Sequence, residues 1–124
     1  MLKTEIVTLA QVESKLKTIR DQSVLLDSDV AALYAVETRE VNQAIQRNPD
    51  KFPEGYIIQL DQTEWQNLKS QIVISSWGGK NKLPKAFTEK GLYMLATILR
   101  GERAVQTTIA IVETYSKAHH QEKV

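Results

Sequence analysis

Arg39, Asn42, Gln43 and Gln46 fall at spacings of three and four in "REVNQAIQRN", so on an α-helix they share one side, opposite Val41, Ala44 and Ile45. Arginine bonds bidentately to guanine, and asparagine or glutamine to adenine. A helix presenting this set therefore has the chemistry to read base edges in a major groove. Thr38 and Arg47 flank the set and suit phosphate contacts. An amphipathic helix with a merely polar outer face has the same pattern, and the acids Asp27, Asp29, Glu37 and Glu40 nearby repel phosphate. Charge to grip a polyanion must come from elsewhere in the chain.

"SSWGGKNKLP", Ser75 to Pro84, can supply it. Gly78 and Gly79 permit the positive φ of a tight turn, so "VISSW" and "KLPKAF" are expected to pair as a hairpin wing. In that wing Ser75, Ser76, Lys80, Asn81, Lys82 and Lys85 would meet the sugar-phosphate backbone, adding affinity and salt dependence more than sequence preference. Trp77 is read as an anchor on the core; the bland alternative for the stretch is a solvated surface loop. The charge pattern along the chain agrees with this division. From Asp21 to Glu64 nine acids face three bases, whereas from Trp65 to Arg100 six bases face one acid.

The elements that must position these residues read as an α+β fold: a helix-turn-helix-like helix pair with a small β-hairpin wing and C-terminal helices. An opening helix is expected over 9–16 and an extended piece over 23–25. Asp27 is read as the N-cap of a helix carrying Val30, Leu33 and Tyr34. After the three-residue turn "AVE", Thr38 is read as the cap of the candidate reading helix, which must end before Pro49. "YIIQL" reads as a strand, and Asp61 with Glu64 has capping-box spacing ahead of Trp65, Leu68 and Ile72. Thr88 caps a helix with Leu92, Leu95, Ala96, Ile98 and Leu99 on its apolar face. A last helix over about 102–118 places Val105, Ile109, Val112 and Ser116 on one side, with Ile111 and Tyr115 displaced from it. So wide a stripe predicts contact with a second chain, and hence a homodimer.

With 124 residues and 42% hydrophobic content, the chain is expected to form a single domain over 1–124, with its core in 19–101. It has no cysteine, which excludes disulfides, thiolate nucleophiles and cysteine metal sites. No signal peptide or membrane-length apolar run is read, so the expected place is the cytoplasm, at the nucleoid. Enzyme signatures are incomplete. The "GGK" triplet lacks a glycine at Ile74 and a Ser or Thr at Asn81, as a phosphate loop requires, and no serine stands in a GxSxG setting. His119 and His120 are adjacent and diverge on a helix, and they read as a frayed tail rather than a metal site. The expectation is a non-enzyme with no cofactor, metal or small-molecule substrate.

"LDSDVAALYAVETREVNQAIQRN", "KFPEGYIIQL", "SSWGG" and "LPKAFTEKGLYML" occur in that order. The ordered set resembles the ORF-six N-terminal branch of the KilA-N group of DNA-binding domains of phages, prophages and bacteria, over roughly residues 19–115. The resemblance implies a double-stranded DNA-binding module of a regulatory, antirepressor-like protein, with Thr38, Arg39, Asn42, Gln43, Gln46 and Arg47 facing the groove. Members commonly carry a further C-terminal region. Two departures are modest: Lys80, Asn81 and Lys82 stand where the family often has arginines, and Lys90 where it often has glutamine. The competing reading is a protein-protein interaction module that acts on a repressor or other regulator without touching DNA.

Overall fold

The computed structural model describes residues 7–71 and 82–122, so the expectations for Ile72, Ser75, Ser76, Trp77, Gly78, Gly79, Lys80 and Asn81 lie outside the described residues. Helices α1 (Leu9–Lys15), α2 (Asp27–Tyr34), α3 (Thr38–Arg47), α4 (Gln62–Gln71), α5 (Glu89–Leu95) and α6 (Glu102–Glu122) alternate with strands β1 (Lys17–Ile19), β2 (Gln22–Leu26), β3 (Ile57–Gln59) and β4 (Lys85–Phe87). A short 3-10 turn, Pro49–Lys51, follows α3. The α+β class read from the sequence is the fold found.

Several helix starts follow local chemistry. Thr8 and Gln11 form a reciprocal capping box on α1, with Gln11 N donating to Thr8 Oγ1 at 3.1 Å and Thr8 N to Gln11 Oε1 at 2.8 Å. The Asp61–Glu64 box on α4 is present as spaced, at 2.8 and 3.0 Å. Thr88 caps α5 by accepting from Gly91 N at 3.3 Å.

The sheet holds a strand the sequence reading omitted. β1 and β2 form a hairpin through Arg20 and Asp21, whose φ values of 53° and 65° are those of a tight primed turn normally given to Gly or Asn. Asp21 suits such a turn, but no glycine or asparagine accompanies it, so pattern alone passes over it. Arg20 is held in this unfavourable region from outside, its guanidinium donating to both Glu64 oxygens at 2.7 and 3.1 Å. That hydrogen bond first, and the Asp61 backbone amide second, hold the Glu64 carboxyl below its ordinary range.

All neighbouring strands are antiparallel, in the order β1-β2-β4-β3. Leu25 and Leu26 of β2 pair with Phe87 and Ala86, while Ile57, Ile58 and Gln59 of β3 pair with Phe87, Ala86 and Lys85. This corrects the expected wing along Lys85–Phe87. "KAF" is an interior strand with both edges taken, so along Lys85–Phe87 it has no free edge for "VISSW". The cause is burial: Ala86 and Phe87 are fully enclosed, which a two-stranded surface wing cannot provide.

Alternation along the strands divides the core between the two faces of the sheet. Leu25 and Phe87 point to a larger cluster with Val12, Val30, Leu33, Val41, Leu92, Leu95, Ile111 and Tyr115. Val24, Leu26 and Ala86 point to a smaller one with Ile58, Leu60 and the α4 residues Trp65 and Leu68. Two further expectations change in detail. The apolar run after Thr88 leaves the helix at Leu95, with Ile98 and Leu99 in the turn beyond it, and α6 stays helical to Glu122, so His119 and His120 stand on a helix, not a frayed tail.

Candidate nucleic-acid interface

The helix pair forms because each end of its connection is specified locally. α2 stops at Ala35, which takes φ 61°, and Val36 N then bonds back to Ala31 O at 2.9 Å. Residues 35–37 make the turn, and α3 departs at Thr38. Neither expected cap acts as one. Leu26 and Glu37 occupy the cap positions without side-chain bonds, and Asp27 and Thr38 are the first helical residues.

Asp27 is displaced from capping because its carboxylate is turned inward. It is buried, and Oδ2 accepts from Asn42 Nδ2 at 3.2 Å and from the Lys85 backbone amide at 3.4 Å. One carboxylate thus ties α2 to α3 and to β4. From behind, α6 holds the end of α2: the Leu33 carbonyl accepts from Arg103 Nε and Nη2 at 3.1 and 3.0 Å and from Thr107 Oγ1 at 3.1 Å. The Tyr34 and Thr108 hydroxyls meet at 2.7 Å.

On α3 the outward side carries Arg39, Gln46 and Arg47, all exposed, with Gln43 half-buried beside them and Thr38 half-buried at the start. Asn42 departs from the expected face. Its amide nitrogen is engaged by Asp27, and its Oδ1 is buried without a protein partner. Arg39 Nη2 lies 3.3 Å from Glu37 Oε1 on the surface, an exposed pair of small energetic weight. Of the basic-loop residues within the described range, Lys82 is exposed, and Lys85 is half-buried in β4.

Beside α3 lies an open depression of about 620 Å³. Gln43, Arg47, Lys51, Thr97 and Arg100 line it, with Glu40 as the acid of its wall, and Lys51 Nζ donates to Thr97 Oγ1 at 3.2 Å. Sequence reading passed over Lys51 and Arg100 as site residues. Roughly fifty positions separate them, and spacing cannot report a contact made by folding.

Away from this face, Glu89 has one partner on its own helix α5 and one across the seam on α6. Tyr93 donates its phenol to Glu89 Oε2 at 2.6 Å, and His119 Nε2 lies 2.8 Å from Oε1. Burial first, and Glu89 second, push the Tyr93 phenol up to about 12, so it stays protonated at neutral pH. Burial likewise raises Tyr115, whose hydroxyl donates to Ser23 O at 2.7 Å. Tyr93 thus donates within α5, and Tyr115 ties α6 to β2.

A family model described as the ORF6N domain matches residues 14–98, more than half of the chain. The chain belongs to the ORF6N domain family. It is thereby one of the KilA-N-like group of phage and prophage proteins. The ORF6N match takes in the α2–α3 pair, the whole sheet and α5, and it ends two residues before Arg100, so α6 lies outside it. No curated protein and no solved structure matches the chain. Among the described residues of this ORF6N chain, no helix is long and apolar enough to cross a membrane.

Proposed function

We propose that this ORF6N chain is a sequence-specific double-stranded DNA-binding module of a phage-derived or bacterial regulatory, antirepressor-like protein. The observation that carries the reading is the α2–turn–α3 unit, with Arg39, Gln43, Gln46 and Arg47 along the accessible side of its second helix. Such a helix enters a major groove with its polar side toward the bases, while its partner helix steadies it. Asn42 takes a different part: bonded to Asp27, it fixes the rotation of α3 rather than reading a base. Lys82, with Ser75, Ser76, Lys80 and Asn81, remains assigned to phosphate. In this reading the protein is not an enzyme, needs no cofactor or metal, and works in the cytoplasm at the nucleoid.

Replacing Gln43 or Gln46 by Ala is expected to weaken binding at the preferred site by about 1–3 kcal/mol and to flatten preference among sites. Selection of duplexes from a random pool, followed by titration at stated salt, measures both. A folded chain that binds no duplex at low salt would sink the proposal and leave the interaction-module alternative.

A homodimer is a second proposal, resting on α6. Its inward side is Ala104, Thr107, Ala110, Ile111, Thr114 and Tyr115, which leaves Val105, Ile109 and Val112 58%, 55% and 38% exposed at helical spacing. Two copies joined there would place two α3 helices for half-sites about one helical turn apart. Sedimentation should show a dimer that Ile109→Glu converts to monomer; a wild-type monomer at high concentration counts against it for this chain.

A further inference from the structure

Among the described residues, the Lys and Arg ion pairs are Lys17–Asp29, Arg20–Glu64, Arg39–Glu37 and Lys117–Glu13. Arg47, Lys51 and Arg100 line one depression and have no carboxylate within ion-pair distance among those residues. Three cations against the single acid Glu40 in one concavity leave a net positive potential, which the concave wall keeps from being dispersed. Helix ends explain only part of the arrangement. Arg47 stands in the last turn of α3 and Lys51 in the last turn of the 3-10 segment, where a cation offsets the negative end. Arg100 is different: it directly precedes Gly101 and the start of α6, the positive end of a 21-residue helix, where a cation is disfavoured. Local stability therefore gives no account of it.

We infer that Arg47, Lys51 and Arg100 form an anion-binding ledge that grips the sugar-phosphate backbone of the duplex alongside α3. The inference rests on the DNA-binding reading and adds to it where the affinity comes from. Gln43 and Arg47 belong both to the exposed side of α3 and to the wall of the depression, so the ledge continues the reading surface rather than forming a separate site. The Lys51–Thr97 hydrogen bond sets one ammonium in place before DNA arrives. Because the turn after Pro49 and the segment after α5 both contribute, the grip spans two elements that fix the orientation of α3 on the duplex. A phosphate contact of this kind positions the protein and adds little base preference. The acidic bias of the helix pair is thus offset at its flank.

The test is the salt dependence of duplex binding. Each phosphate contact removed should lower the slope of log affinity against log salt by about 0.9. Lys51→Ala and Arg100→Ala should each show that loss with the ranking of sites unchanged. Arg100→Lys, which retains the charge, should stay near the wild-type slope, and Lys117→Ala, on the ion pair with Glu13, should leave it unaltered. If wild type binds duplex with a steep slope that neither alanine variant lowers, the ledge is overturned and the DNA reading stands. If wild type binds no duplex, both fall. Circular dichroism of each variant confirms that a lowered slope does not arise from unfolding.

Discussion

Gly91→Ala is expected to destabilise the fold by about 3 kcal/mol, at the upper end of the usual cost of overpacking. On helix propensity alone the sign would be opposite, because alanine in a helix is favoured over glycine by about 1 kcal/mol. The surroundings decide it. A Cβ built on Gly91 would overlap the backbone carbonyl of Tyr56, which cannot rotate away as a side chain can. That carbonyl is also the acceptor for Thr88 N at 3.1 Å and for Thr88 Oγ1 at 3.0 Å, so displacing it disturbs the α5 cap and the β4 end together. Urea denaturation gives the value directly. A loss below roughly 0.5 kcal/mol, the range of inconsequential surface changes, would mean that α5 does not press on the Tyr56 backbone as described.

Asp27→Ala should cost about 2–3 kcal/mol and should loosen α3 selectively. The substitution leaves the Asn42 amide and the Lys85 backbone N–H without their acceptor, and an unmet buried donor costs about 1–3 kcal/mol. It also removes a carboxylate from the first turn of α2, where the helix dipole favours one. Asp27→Asn, which keeps one acceptor oxygen, should lose less. Hydrogen exchange provides the readout: protection should fall along α3 and at Lys85 ahead of the β1–β2 hairpin. Uniform loss across the molecule would count against Asp27 as a local tie.

What the sequence made legible is what short-range chemistry determines. The α2–α3 pair, the Asp61–Glu64 box and the Thr88 cap were readable because each is settled within a few residues. The ordered motifs carried the family across most of the chain. The misreadings share one physical origin. Asp27 looks like a cap, Asn42 like a residue with its amide free and "KLPKAF" like half of a hairpin until a partner distant in sequence arrives, and then the distant partner wins. The Arg20–Asp21 turn is the mirror case, an unfavourable backbone held by Glu64 from 44 residues away. Arg100 and Lys51 as a pair were illegible for the same reason. The α6 stripe of Val105, Ile109 and Val112 was legible from helical spacing, while which part of α6 faces inward needed the packed structure.

The strand order has a consequence for synthesis on the ribosome. Leu25 and Leu26 find their sheet partners in Phe87 and Ala86, about 60 residues later, and closing so long a loop is what slows a topology of this kind. A nascent chain that has emerged only through α3 carries the residues of the helix pair but lacks the Lys85 amide that meets Asp27 and the strand that lies beside β2. Its bare β2 edge is then open to pairing with another chain. The tie of α3 through Asp27 to β4 would therefore be completed only when β4 has left the exit tunnel.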